Sequence, residues 1–510
     1  MPEDVRPRVR LFGDLLAHWA RERPGDTALI FGDRKWTWAE FDERVRRLSG
    51  ALAAAGVGRG DRVAFVDKNH PACLETTFAA AGIGAANAVV NWRLSGDELA
   101  YVLNDSGAKV VFVGAELRAA LDAIRDRLPA LERVVVLDEY ESFLAGGESH
   151  TASGLDEDDG VLIMYTSGTT GFPKGAVLTH RSVIAHGLAA GTAFPIGPGD
   201  VNLVAMPLFH VGGSCYAVSG FLYGEPSYLT READAASLFA AVRAGITHAF
   251  LVPAVVAGIA QAGEAALTAF SRLKYLCYGA SPMPLPLLRT VLAAWPDVRF
   301  AQVYGMTELS GAVTALDPAA HRDTTRPERL ASAGTALSGV DIRIVDPVTA
   351  EDAAAGEVWV RTEQRMAGYL GKPEATAETI VDGWVRTGDV GRLDDGGFLF
   401  LEDRVKDMII TGGENVYSPE VERVVAEFPG VVEVAVIGVP DERWGEQVKA
   451  VVAGEQLDAD KLMEFCRERL AHYKCPRSVD VVDALPRNAT GKILKRSLRA
   501  PYWRDRDRNV

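Results

Sequence analysis

The first half of the chain alternates short apolar runs with longer helix-periodic stretches, and this alternation restricts the fold more than any other feature. Residues 11–22 carry a helical apolar spacing, residues 28–31 and 35–37 read as a hairpin about Gly32-Asp33, and residues 40–55 form an amphipathic helix. A Gly-Val-Gly-Arg-Gly-Asp turn leads into a strand at residues 62–66. The same order recurs around residues 99–103, 109–113, 117–127 and 133–137. Strands alternating with helices predict mainly parallel sheets covered by helices on both faces. From about Ala333 the texture changes to short strands and turns, at residues 341–345, 356–361 and 397–401, which predicts a small antiparallel β subdomain.

After Arg404 the texture changes again. Residues 431–438 and 447–453 read as strands joined by a charged turn, residues 459–471 as a helix and residues 478–482 as a third strand. This predicts an α+β unit of about a hundred residues, large enough to fold alone. The expected organisation is therefore a large N-terminal α/β domain over residues 1–405 and a small α+β domain over residues 406–510. At 510 residues the chain is more than three times the length of an average domain, in line with that division.

Composition removes several classes of function. Apolar residues make up 48% and charged residues 24%, the balance of a soluble globular protein rather than a disordered or fibrous one. The formal charge of −15 argues against a general binder of nucleic-acid backbones. Cys73, Cys215, Cys277, Cys466 and Cys475 are too scattered for a disulfide framework or a paired-cysteine zinc site, and read as buried thiols in a reducing compartment. The N-terminus has no signal-peptide pattern, and no apolar stretch is long enough to cross a membrane. A cytoplasmic protein is expected.

The most informative segment chemically is Tyr165-Thr-Ser-Gly-Thr-Thr-Gly-Phe-Pro-Lys-Gly175, set between the apolar runs 161–164 and 176–178. Its glycines allow close backbone approach, Thr166, Ser167, Thr169 and Thr170 supply hydroxyl donors, and Lys174 supplies charge. Such a loop suits phosphate groups; the plainer alternative is a Gly/Thr-rich surface turn. It is not a P-loop, because no Gly-Lys-Ser/Thr follows at the required spacing. G-x-G-x-x-G, H-E-x-x-H and G-x-S-x-G are also missing, so nicotinamide enzymes, zinc hydrolases and serine hydrolases lose their usual handles.

The segment resembles the signature loop of the adenylate-forming superfamily of acyl-CoA synthetases, peptide-synthetase adenylation domains and luciferases. Further motifs follow in that family's order: Pro207-Leu-Phe-His-Val-Gly212, Tyr278-Gly-Ala-Ser281, Gln302-Val-Tyr-Gly-Met-Thr-Glu308, Gly356-Glu357, Trp384-Val-Arg-Thr-Gly-Asp389, Asp403-Arg-Val-Lys-Asp-Met-Ile-Ile-Thr-Gly-Gly-Glu-Asn415 and Pro486-Arg-Asn-Ala-Thr-Gly-Lys492. The stretches 406–417 and 441–446 bring the resemblance nearest to bacterial fatty-acyl-CoA synthetases. The family's fold is a large N-terminal domain with a small mobile C-terminal lid that turns about a hinge, here near Lys406.

The resemblance also implies roles. ATP would be held by Thr166, Ser167, Gly168, Thr169, Thr170 and Lys174 at its phosphates. Gly279, Ala280, Ser281, Tyr304 and Gly305 would lie beside adenine, with Asp389 and Arg404 on the ribose. Thr307 would bind the α-phosphate and Glu308 a magnesium ion; a carboxylate cannot face phosphates unless a cation intervenes. Lys492 is the family's lid lysine, reaching the acyl carboxylate and α-phosphate. His210, Val211, Gly212, Tyr278 and Val303 would border the acid, with His210 read as a gate for the thiol of CoA rather than as a base.

Taken alone, several of these residues have plainer readings. Glu308 would be a solvated charge, Tyr304 half-core, Thr387-Gly-Asp389 a β-turn. His210 would be a structural histidine and Lys492 an exposed bystander. The expected reaction is ATP- and Mg²⁺-dependent formation of an acyl adenylate, followed by transfer to CoA. Two alternatives stand beside it: loading of a separate carrier protein, and a nucleotide sensor without chemistry. The acid expected is a medium- or long-chain fatty acid, then an aryl or polycyclic one. A homodimer is left open, and no nucleic-acid partner is expected.

Overall fold

The computed structural model describes residues 9–166, 173–281, 283–346, 349–404, 407, 409–411, 414–416, 418–441, 443–455, 457–487 and 493–504, with backbone alone at 403, 404, 410, 414 and 415. The chain divides into two compact units, Met1–Asp341 with Val360–Val385, and Ile342–Trp359 with Arg386–Val510.

The first unit is built on two sheets. In the seven-stranded sheet the order is Gly368–Tyr369, Lys174–Thr179, Gly160–Thr166, Ala86–Val89, Arg62–Val66, Val110–Val113, Arg133–Val136. Its last five strands are parallel, and the two at the near edge are antiparallel. The nine-stranded sheet has six parallel strands at its centre (Arg299–Met306, Tyr275–Gly279, His248–Leu251, Asn202–Val204, Ser227–Leu229, Thr27–Phe31) and antiparallel edges. The mainly parallel architecture expected from the alternating pattern is therefore found.

Side-chain alternation decides what each face buries. Val63, Phe65, Val110, Phe112, Leu162 and Met164 of one sheet, and Leu29, Val204, Phe250, Tyr275 and Cys277 of the other, enter one shared core. Helices lie inside that core: Phe12, Trp38, Phe41, Phe78 and Phe221, from four helices, make ring contacts at 4.9–6.2 Å. The residues between them on each strand go the other way. Ala64, Val66, Val111 and Ile163 pack beneath one helical layer, and Leu203, Leu251, Leu276, Tyr278 and Phe300 beneath another.

Local differences from the sequence expectations have physical causes. The helix expected from residue 40 begins at Trp38, because Thr37 caps it: Glu40 N–H donates to Thr37 Oγ1 at 3.2 Å and Thr37 N–H to the Glu40 carboxylate at 2.8 Å. The strand expected from residue 397 begins at Leu399, because Gly396 and Phe398 N–H both donate to Asp394 Oδ1 and close a turn over the intervening residues.

In the second unit Val431–Asp441 and Gly445–Gly454 form a long antiparallel hairpin, with Ser478–Val482 added parallel to the second strand. Helices Ser418–Ala426 and Ala459–Arg467 pack on this sheet through Val421, Val425, Leu462 and Cys466. The second helix is four residues shorter than the expected 459–471. All five cysteines are buried and free. Among the described residues no helix is long and apolar enough to cross a membrane.

Candidate functional site

The Thr/Gly-rich segment is a hairpin whose two stems are strands Gly160–Thr166 and Lys174–Thr179, with Thr166 opposite Lys174 and Tyr165 opposite Gly175. Its tip, with Ser167, Gly168, Thr169 and Thr170, lies outside the described residues. The stems are braced from outside. Tyr165 donates its hydroxyl to Asp105 at 2.9 Å, Lys372 donates to the same carboxylate at 2.6 Å, and Tyr101 reaches Pro173 O at 3.2 Å. Gly175 is required here, because a Cβ would stand 2.8 Å from Ile163 Cγ2 and 3.1 Å from the Tyr165 ring.

The Tyr304–Glu308 segment leaves its strand through a register shift at Tyr304/Gly305 and enters a 3₁₀ turn over Thr307–Leu309. Only glycine fits at 305, where a Cβ would lie 1.8 Å from Gly311 O. The turn buries Glu308 to 6% exposure, and the Glu308 carboxylate accepts from the Tyr369 hydroxyl at 2.7 Å. The Lys174 ammonium sits over the ring of that same Tyr369, 4.9 Å from its centroid. Two residues singled out from distant motifs thus meet one tyrosine, Glu308 at its hydroxyl and Lys174 over its ring. Magnesium binds through one or two carboxylates plus substrate phosphates rather than an all-protein cage. A single buried carboxylate beside a phosphate-type loop fits that mode, and among the described residues no cluster of three or more ligating side chains competes with it.

Gly279 and Ala280 end the neighbouring strand, with Gly279 in register with Val303, one residue before Tyr304. A Cβ at 279 would meet Val303 O at 2.5 Å, and Ala280 holds a left-handed φ of 66°, a conformation that L residues seldom adopt.

His210 is the N-cap of helix Val211–Leu222. The backbone before it is clamped by the buried Asn69, whose side-chain amide donates to Met206 O at 3.0 Å and accepts from Leu208 N–H at 2.8 Å. Gly212 lies against Phe250, 2.9 Å from a built Cβ, while Val211 and Val303 pack on the core that holds Phe209 and Phe250. Tyr278, expected among these residues, is not brought to them by its side chain. Its ring lies in the core on the other face of the sheet, with the hydroxyl 3.1 Å from Gln302 Oε1 and 2.9 Å from His321 Nε2.

Burial, reinforced by Arg93, pushes the His210 pKa down to about 4, so the ring is neutral at neutral pH, and its Nε2 has no hydrogen-bond partner among the described residues. Burial also lowers His70, His180, His186 and His321 to about 4. An unfolded chain would take up protons at these sites below about pH 6.5, whereas the folded chain resists until about 4. Stability present above pH 6.5 should therefore fall steadily as pH drops toward 4. Denaturant midpoints at pH 7.5, 6 and 5, with proton uptake on unfolding, check this; a flat midpoint across that window would contradict it.

In the second unit Asp389 and Arg404 are register partners on adjacent antiparallel strands. The part of strand Trp384–Leu393 that presents Asp389 is organised by the buried Glu357. That carboxylate accepts from Gly388 N–H at 3.2 Å, Trp359 Nε1 at 2.9 Å and Arg386 Nε at 3.1 Å, while Gly388 adopts φ 69°. The Gly356-Glu357 motif thereby acquires a physical task that its two letters do not reveal. Lys406 and Lys492 lie outside the described residues.

A cleft of about 380 Å³ stands apart from these residues, at the carboxyl ends of strands Arg62–Val66, Val110–Val113 and Arg133–Val136. Its cations are committed to acids: Arg231 to Asp67 and Glu116, and Lys68 to Glu116 and Glu232. It offers no free charge for a phosphate.

Residues 16–370 match the family model of the AMP-binding enzymes, and residues 420–492 match that of the AMP-binding enzyme C-terminal domain. The chain is 37% identical to the fatty acid–[acyl-carrier-protein] ligase ScoC of Streptomyces coeruleorubidus, covering 99% of each. It is 40% identical to a feruloyl-CoA synthase of Amycolatopsis sp (95% of this chain, 97% of the other). It is 36% identical to the long-chain-fatty-acid–CoA ligase FadD13 of Mycobacterium tuberculosis (92% and 94%). Among solved structures, o-succinylbenzoate coenzyme A synthetase from Bacillus subtilis with ATP and magnesium aligns over 95% of this chain and 98% of its own, at 28% identity and a TM-score of 0.84.

Proposed function

The chain belongs to the AMP-binding enzymes, the adenylate-forming acyl-CoA ligases, and on that premise we propose that it activates a monocarboxylic acid with an apolar body and passes the acyl group to CoA. In the first half-reaction a carboxylate oxygen attacks the α-phosphorus of ATP and the bond to pyrophosphate breaks. Both reactants are anionic, so the site must supply positive charge. Lys174 with the hairpin tip holds the phosphates, Thr307 the α-phosphate, and Tyr304 with residues 279–281 the adenine, while Asp389 and Arg404 take the ribose. A magnesium ion held by Glu308 would neutralise phosphate charge. In the second half-reaction the C-terminal lid turns about Lys406. The CoA sulfur then attacks the acyl carbonyl and AMP leaves. His210, neutral and without a partner at Nε2 among the described residues, borders the thiol's path.

The observation that carries the acid's class is the lining. Phe209, Val211, Phe250 and Val303 belong to one apolar core, and residues 209–214, 251–255 and 302–303 contain no lysine or arginine. A second buried carboxylate would be left unpaired there, at high cost. Gly212 and Gly213 serve packing rather than opening space, since a Cβ would meet the Phe250 ring at 2.9 Å and Pro207 O at 2.1 Å; it is the apolar lining that puts a medium- or long-chain fatty acid first and an aryl acid second. The relative that loads a carrier protein gives a second reading, in which a carrier thiol replaces CoA. The five buried free thiols suit a reducing, cytoplasmic setting.

A panel of acids with ATP, Mg²⁺ and CoA tests the proposal. Each methylene buried contributes about 0.8 kcal/mol, so kcat/KM should rise by up to about fourfold per carbon until the cavity fills. A preference for malonate or acetate over octanoate would overturn the assignment of the acid.

A further inference from the structure

Tyr369 touches two groups of opposite charge that both serve the nucleotide in the reading above. Its hydroxyl donates to Glu308 Oε1 at 2.7 Å, and its ring faces the Lys174 ammonium at 4.9 Å. A hydrogen bond to one carboxylate oxygen fixes the rotamer of Glu308 and leaves the other oxygen for a ligand.

The backbone of Tyr369 is secured independently of its side chain. Its N–H donates to Thr376 Oγ1 at 2.9 Å, its strand pairs with Ala176, and the next residue's N–H donates to Gly175 O at 2.8 Å. The Glu308 carbonyl is held separately by Met366 N–H at 2.8 Å. The hydroxyl is therefore not needed to hold the strand or the turn in place.

We propose that Tyr369 is a positioning residue of the nucleotide site: its hydroxyl aims the Glu308 carboxylate at the metal, and its ring face holds the Lys174 ammonium for the phosphates. This rests on the reading of Glu308 as the metal-binding carboxylate. Tyr369→Phe keeps the ring and removes the hydroxyl, whereas Tyr369→Leu removes both.

The test is Mn²⁺ binding, read by electron paramagnetic resonance on the full chain with α,β-methylene-ATP, beside binding of the same nucleotide in EDTA. Glu308→Gln serves as reference. Ordering a freed side chain should make Mn²⁺ binding about threefold to tenfold weaker in Tyr369→Phe, with metal-free nucleotide binding unchanged. Tyr369→Leu should weaken both. Wild-type Mn²⁺ affinity in Tyr369→Phe, with a loss in Glu308→Gln, overturns the positioning role and leaves Glu308 as the ligand. Wild-type affinity in Glu308→Gln overturns the metal reading itself. A fall in unfolding midpoint and in metal-free nucleotide binding in Tyr369→Phe also overturns the proposal, since the hydroxyl would then serve the fold.

Discussion

Lys492→Ala should slow acyl-adenylate formation by about 10²–10³-fold, the scale of removing one preorganised donor from a charged transition state. Lysine is a compact charge on a long flexible stem, suited to reach a carboxylate and an α-phosphate together as they become bonded. The proposed second half-reaction has no such need, because the thiol attacks a carbonyl already activated by AMP. Supplied acyl adenylate should therefore still give thioester at nearly the wild-type rate. Single-turnover measurement of each half-reaction separates the two. Equal losses in both would remove Lys492 from its assigned role.

Lys406→Pro should have the opposite pattern. Proline fixes φ near −65° and removes the N–H, so one backbone conformation at the proposed hinge is frozen. A lid that must turn between half-reactions depends on a residue free to absorb that change. Adenylation should survive, while thioester formation should fall by at least about 10²-fold, as expected when a reacting group is misplaced by an ångström or more. The same half-reaction assay checks it, with pyrophosphate release for the first step and thioester mass for the second. An undiminished second step would place the pivot elsewhere.

The parallel sheets could be read from the sequence because each strand is bounded by turn residues and separated by helix-periodic stretches. The strand at residues 478–482 and that at 62–66 coincide with their expected bounds for this reason. Which way a side chain points within a doubly covered strand could not be read. Strand Tyr275–Gly279 is apolar at almost every position, since both its faces are buried. Period-two alternation is then silent, so the face that the Tyr278 ring takes, away from the expected acid pocket, cannot be read from it. The role of Tyr369 is hidden in the sequence for a different reason. Its partners Glu308 and Lys174 are 61 and 195 positions away, and only the pairing of its two-residue strand with Lys174–Thr179 brings them together. Asn69 bracing the loop before His210, 137 residues on at Met206, is the same kind of case. Glu357 stands out in the sequence only as a motif letter, because its hydrogen bond to Gly388 beside Asp389 exists only once the strands are paired.

The central claim, that this chain joins an acid to CoA through an adenylate, is tested most directly by the products of one reaction. Octanoate, ATP, Mg²⁺ and CoA are incubated with the enzyme and resolved by mass spectrometry and nucleotide chromatography, with a phosphopantetheinylated carrier protein as the alternative acceptor in a parallel reaction. The account predicts AMP, pyrophosphate and octanoyl-CoA in equal amounts, with an octanoyl adenylate accumulating when CoA is withheld. ADP and phosphate in place of AMP and pyrophosphate would contradict the adenylate, and octanoyl carrier protein without octanoyl-CoA would contradict the choice of thiol.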